Sequence, residues 1–158
     1  RKSAPLKVPF AAICLLSGKE NLIKNFSDFI DYDQVTYQMI DDWRDWREDL
    51  KTRNYTYFLM KVIQNLGISQ CGQLKEDHVY EAVYKRGVWD EVYKVAKKYN
   101  KLAHKSISSI NVPYLEKYLE LEIGLCTKII DNIKQDRTLQ VQGGLERLLD
   151  KLVQSNGE

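Results

Sequence analysis

Hydrophobic residues recur along this chain at steps of three and four, the spacing that places them on one face of an α-helix. From Val88 to Ser109, Val88, Val92, Val95, Ala96, Tyr99, Leu102 and Ala103 share a face, which predicts an amphipathic helix of roughly five or six turns. Leu115, Leu119, Ile123, Cys126 and Ile130 repeat the step from Pro113 to Ile130. Pro113 stands where a helix begins, just after the turn-prone stretch Ser109 to Val112. Gly143-Gly144 is expected to break the chain before a last short helix, Leu145 to Gln154, with Leu145, Leu148, Leu149 and Leu152 as its apolar stripe. In the first half, Ala4 to Leu16 reads as a buried helix ending near Ser17-Gly18. Further helices are predicted over Glu20 to Phe29, Asp33 to Lys51, Tyr57 to Asn65 (closed by Gly67) and Glu76 to Lys85 (closed by Gly87). No run alternates with period two over a useful length, and no Asn-Gly pair links two strand-like runs. The fold expected is all-α, an antiparallel helix bundle with short connections and no internal repeat.

Composition narrows the function. A chain of 158 residues is the size of one domain, and 44% hydrophobic with 29% charged residues suits a globular core. Eight Gly and three Pro are too few for collagen-like, linker-like or disordered chains. A net charge of +2 is too even for a dedicated nucleic-acid binder. The longest apolar stretch, Val8 to Leu16, contains Pro9 and falls short of the ~18 residues a membrane span needs. Cys14, Cys71 and Cys126 are far apart and form no CxxC pair, so three reduced thiols in a cytoplasmic protein are expected. His78 and His104 are also far apart, and both are expected to be structural or surface residues rather than the centre of a hydrolase. The chain opens Arg1-Lys2-Ser3, without Met or signal peptide, as if cut from something longer.

Candidate chemistry lies in the segment from Asp33 to Leu50. At ~100° per residue, Gln38, Asp41, Asp45 and Asp49 fall within roughly 80° of arc, bordered by Asp42. Val35, Met39, Trp43, Trp46 and Leu50 form an adjacent apolar stripe. Carboxylates at i, i+4 and i+8 repel each other, the more so if buried. A cation relieves that repulsion, and oxygen donors without His or Cys point to Mg²⁺ rather than zinc. The other reading is a solvated charged face, with Asp41–Arg44 and Glu48–Lys51 as ordinary surface pairs.

The same residues resemble a known family. Tyr37-Gln38-Met39-Ile40-Asp41-Asp42-Trp43-Arg44-Asp45 is similar to the second aspartate-rich motif, FQxxDDxxD, of the trans-isoprenyl diphosphate synthases, with Tyr in the Phe position. The basic, Thr-containing segment that follows the motif in that family has its counterpart in Lys51-Thr52-Arg53-Asn54-Tyr55-Thr56-Tyr57, although the Gly-Lys pair is absent. Lys2-Ser3-Ala4-Pro5-Leu6 resembles the family's upstream KTxxL stretch, with Ser for Thr. The 41/45/49 spacing also resembles the (N/D)DxxSxxxE metal motif of class I terpene cyclases, with Asp45 in the Ser place and Asp49 in the Glu place.

The resemblance implies an isoprenoid-synthase-like helical fold and a cavity where Mg²⁺ ions bridge aspartates to an allylic prenyl diphosphate, the metal easing departure of the diphosphate. Carried over residue by residue, Asp41 and Asp45 would ligate Mg²⁺, with Asp42 a ligand or the residue behind one. Asp49 would be a ligand under the cyclase-like alignment. Gln38 and Tyr37 would position substrate, Lys2 would bind diphosphate, and Lys51 or Arg53 would replace the family's lysine. The aromatics Tyr37, Trp43, Trp46, Tyr55 and Tyr57 would either line the cavity or pack the core, with core packing favoured for Trp43 and Trp46.

The first aspartate-rich motif of the family has no counterpart in this chain. The resemblance covers residues 1 to about 60, so the chain reads as a C-terminal half whose partner is the N-terminal half of the same fold, as another chain or a preceding stretch. That half alone should be inactive. A class I terpene cyclase, or a noncatalytic helical interaction subunit, are the alternatives, and a homodimer stays open.

Overall fold

A computed structural model describes the chain from Ala4 to Ser155, with side chains described except at Gln140 and from 145 onward. Every regular element among these residues is helical. The order is α1 (Ala4–Leu16), a 3₁₀ turn (Glu20–Leu22), α2 (Ile23–Thr52), α3 (Tyr57–Leu66), a 3₁₀ turn (Cys71–Gln73), α4 (Glu76–Tyr80) running into a π-helical turn (Glu81–Lys85), α5 (Val88–Ile107) and α6 (Pro113–Ser155). None of them is long and apolar enough to cross a membrane.

The two helices expected over Glu20 to Phe29 and Asp33 to Lys51 are one. No Gly or Pro lies between Gly18 and Gly67, so nothing stops the 30 residues of α2 until its C-terminus. Gly143-Gly144 does not break the chain either, because α6 runs through it. Two glycines cost a helix roughly 1 kcal/mol each, less than the hydrogen bonds and packing of a long helix return. Ala4 to Leu16 is helical as expected but not buried. Only Cys14 is fully covered, while Val8, Ile13, Leu15 and Leu16 are exposed. One flank alone of α1 meets α2, through Phe10 against Phe26 at 5.2 Å and a Lys7–Asp31 ion pair.

α2 packs along α5, and α6 lies against both. The larger core joins Met39, Ile40 and Trp46 of α2 to Phe58, Leu59 and Val62 of α3 and to Val88, Trp89, Val92 and Ala96 of α5. A smaller core holds Phe29, Ile30, Ala103, Ile107 and Leu119. Along all three long helices the residues between the two cores are polar and buried: Asp33 and Thr36 on α2, Asn100 on α5 and Glu122 on α6. The three thiols are free, with Cys14 and Cys126 buried. Burial pushes the Cys126 thiol up to about 12, with the charge of Glu122 adding to the effect.

Candidate functional site

The acidic stripe opens on a pocket. Gln38, Asp41, Asp42, Asp45 and Asp49 of α2 line a cavity of about 350 Å³, closed on its far side by Asn54, Thr56 and Tyr57. The turn from α2 into α3 sets this geometry. Arg53 ends α2 in the left-handed conformation (φ 58°), a place usually taken by glycine. The next N–H, of Asn54, then bonds the carbonyl of Asp49 at 2.8 Å, and the Asn54 side-chain amide donates to Asp49 Oδ1 at 2.7 Å. Asp49 is thereby held at one end of the stripe.

Asp42 differs from its neighbours. It is 1% exposed and both of its oxygens are engaged. Oδ1 accepts from Gln38 Nε2 at 2.7 Å and Oδ2 from the Phe58 backbone N–H at 3.1 Å. Thr56 occupies the N-cap position of α3 without a side-chain cap bond. The carboxylate of another helix therefore caps α3. Burial raises the Asp42 pKa, and the bonds from Gln38 and Phe58 pull it back. Sequence reading placed Asp42 among or behind the metal ligands; its contacts are those of a brace between α2 and α3.

Asp41 and Asp45 have no hydrogen-bond or ion-pair partner among the described residues. The pairs Asp41–Arg44 and Glu48–Lys51 do not form there. The donor set is all oxygen and open to solvent, which is the chemistry of Mg²⁺ held by one or two carboxylates with water and phosphate. A closed all-protein cage is absent: no three His, Cys, Asp or Glu side chains among the described residues converge to hold a metal.

The other expected residues are scattered. Lys51 and Arg53 are exposed at the end of α2 and do not line the pocket. Tyr37, 46% exposed, faces a neighbouring apolar groove with Tyr118 and Leu121. Lys2 lies outside the described residues. Trp46 is core, and Trp43 packs on Trp89 at 4.6 Å and on Phe58 at 5.8 Å. Tyr55 also packs against the core, while Tyr57 reaches the acidic pocket. His78 Nδ1 accepts the Lys75 N–H at the start of α4, a structural bond.

Sequence reading missed the buried polar layer. Burial pushes the Glu122 carboxyl up to about 8, the charge of Asp33 adding to the effect, and burial pushes Asp33 itself up to about 6. Asp33 Oδ1 and Glu122 Oε2 are buried without a hydrogen-bond partner among the described residues. Tyr118 donates to Glu122 Oε1 at 3.4 Å, and Asn100 Nδ2 donates to the Leu119 carbonyl at 2.9 Å. The signal was Glu122 standing inside the stripe of Leu119, Ile123 and Cys126. Comparison of the chain with protein-family models, curated proteins and solved structures finds no match.

Proposed function

We propose that the acidic pocket is a divalent-cation and diphosphate site. In this reading the chain supplies the second aspartate-rich motif of a Mg²⁺-dependent prenyltransferase of the class I isoprenoid synthase type, acting on an allylic diphosphate. One observation carries it: Asp41 and Asp45 stand a turn apart, unpartnered, beside Gln38 in an open pocket, while the bonded Asp42 is withdrawn behind them. An ordinary charged face would have used Arg44 and Lys51 to balance these acids, and those pairs are missing among the described residues.

Asp41 and Asp45 would hold Mg²⁺, and Asp49, steered by Asn54, would add an oxygen at the end of the stripe. When bound, the metal supplies charge neutralisation for a departing diphosphate. Gln38 donates to Asp42 Oδ1 and the Phe58 N–H to its Oδ2, which leaves Asp41 and Asp45 as the unbonded acids of the pocket among the described residues. Lys51 and Arg53, exposed at the C-terminal end of α2 and outside the pocket lining, would reach only the outer oxygens of a bound diphosphate. The N-terminal half of such a fold would supply the facing aspartates.

The test is titration calorimetry with Mg²⁺ in the presence of inorganic pyrophosphate. Asp41→Asn and Asp45→Asn should each weaken binding by about tenfold or more, as expected for loss of a charge-assisted contact. Wild-type binding in both variants would overturn the assignment. In a protein carrying both halves, products formed with and without isopentenyl diphosphate separate chain elongation from cyclisation. A second reading, a helical interaction subunit, draws on the exposed apolar residues of α1; it is favoured if pyrophosphate and Mg²⁺ give no heat beyond that of the same titration without protein.

A further inference from the structure

A second pocket lies on nearly the opposite face of α2. At ~100° per residue, Arg47 points away from the middle of the acidic stripe by about half a turn. Trp43, Arg44, Trp46 and Arg47 of α2 meet Tyr80 of α4 and Tyr84 of the π-helical turn around a cavity of about 270 Å³. That is close to the lower end of the roughly 300–1,000 Å³ typical of small-ligand pockets. Four of its lining residues are aromatic. Trp46 and Tyr80 meet edge-on at 5.7 Å, and Tyr80 and Tyr84 stack at 6.0 Å. The Arg47 guanidinium sits 4.4 Å over the Trp46 ring and donates to the Tyr80 hydroxyl.

Charge decides the ligand. The ion pairs among the described residues use Lys7, Lys24, Arg86 and Arg137, so neither Arg44 nor Arg47 has a carboxylate within pairing distance. One acid is near, Asp136, which accepts from the Tyr84 hydroxyl at 3.4 Å, but it pairs with neither guanidinium. Two guanidinium groups against one carboxylate leave the aromatic pocket an excess of positive charge, which favours an anion. A guanidinium fork holds a carboxylate or phosphate through two parallel bonds. Trp and Tyr faces favour a flat ring beside it. The π-helical turn that carries Tyr84 is an independent pointer, since such turns concentrate at functional sites.

We propose that this pocket binds a small planar anion, an aromatic ring carrying one carboxylate or phosphate group. The inference stands apart from the diphosphate reading, because the two pockets share no lining residue. The probe is 2-naphthoate, titrated calorimetrically into the full 158-residue chain. The controls are neutral 2-naphthalenemethanol, which keeps the ring, and inorganic phosphate, which keeps the anion. Naphthoate should bind saturably with a Kd below about 1 mM, and each control about tenfold more weakly, the loss expected when a charged hydrogen bond or the ring contact is removed. Arg44→Gln and Arg47→Gln should each weaken naphthoate binding by about tenfold. Arg47 also stacks on Trp46, so unfolding of that variant, read by circular dichroism, leaves the exposed Arg44→Gln to decide alone. Absence of saturable naphthoate binding, binding of the alcohol as tight as naphthoate, or unchanged affinity in Arg44→Gln would each overturn the proposal.

Discussion

Replacing Glu122 by Gln should stabilise the protein at alkaline pH. The carboxyl has its pKa raised from 4.5 to about 8 in the folded protein, with burial as the main cause and the charge of Asp33 second. The unfolded chain ionises Glu122 near its ordinary value, whereas the fold keeps it protonated. Between pH 4.5 and about 8 the native state therefore binds more protons than the unfolded state. Stability falls as pH rises through that window. At 1.36 kcal/mol per pH unit, the interval from 4.5 to about 8 sets an upper bound on the order of 5 kcal/mol. Local water entry and a compact denatured state reduce this, and about 2–3 kcal/mol is expected. Asp33, raised from 3.8 to about 6, loses its contribution over the lower part of the same range. The amide of Gln carries no proton to lose, keeps an acceptor for Tyr118, and brings donors to a layer with an unpartnered oxygen on Asp33. Urea unfolding followed by far-ultraviolet circular dichroism at pH 5, 6.5 and 8 checks this. Wild-type stability should decline over the series, Glu122→Gln should decline less, and the variant should be the more stable at pH 8. A flat wild-type profile, or a variant destabilised equally at all three values, would refute the reasoning.

Three smaller changes test the local geometry. Asp42→Ala uncaps α3 and leaves the buried Phe58 N–H without its partner; it should cost about 2–3 kcal/mol in urea unfolding, and Asp42→Asn, which keeps an acceptor, less than half of that. Arg53→Gly relieves a left-handed residue at the end of α2 and should add about 0.5–1 kcal/mol by thermal denaturation. Gly144→Ala meets nothing within 4 Å and should stabilise α6 by up to ~1 kcal/mol, seen as raised helicity and Tm.

Where the fold was legible, the reason was local. The step of three and four in α5 gave its start at Val88 and its end within two residues, because alternating apolar and charged positions leave a helix one way to face the core. Gly67 and Gly87 were readable as stops, and both have positive φ. Failures arose where a distant element decided. The gap expected between Phe29 and Asp33 does not exist in α2, and Asp33 sits in a buried layer completed by Asn100 and Glu122 from helices far along the chain. The apolar run of α1 predicted burial, but among the described residues only α2 and the adjoining 3₁₀ turn pack closely against it. Asp42 could not be told from Asp41 by spacing, since only the approach of α3 turns one into a cap and leaves the other in the pocket.

That difference bears on how an acidic stripe is read at all. Four aspartates in nine residues invite a single role, but α2 divides them by angle. Asp42 turns inward far enough to meet the first turn of α3, and its capping bond offsets the cost of its burial. Asp41 and Asp45 turn outward, and Asp49 is held in between by Asn54. The basic residues interleaved with them do not neutralise the stripe, because the helix carries Arg47 round to the aromatic pocket, where it lies on Trp46. The alternation of acid and base along α2 is therefore not charge balance along one face. It separates an oxygen-lined pocket from a guanidinium-lined one across the same helix, and the near-neutral net charge of the chain conceals both.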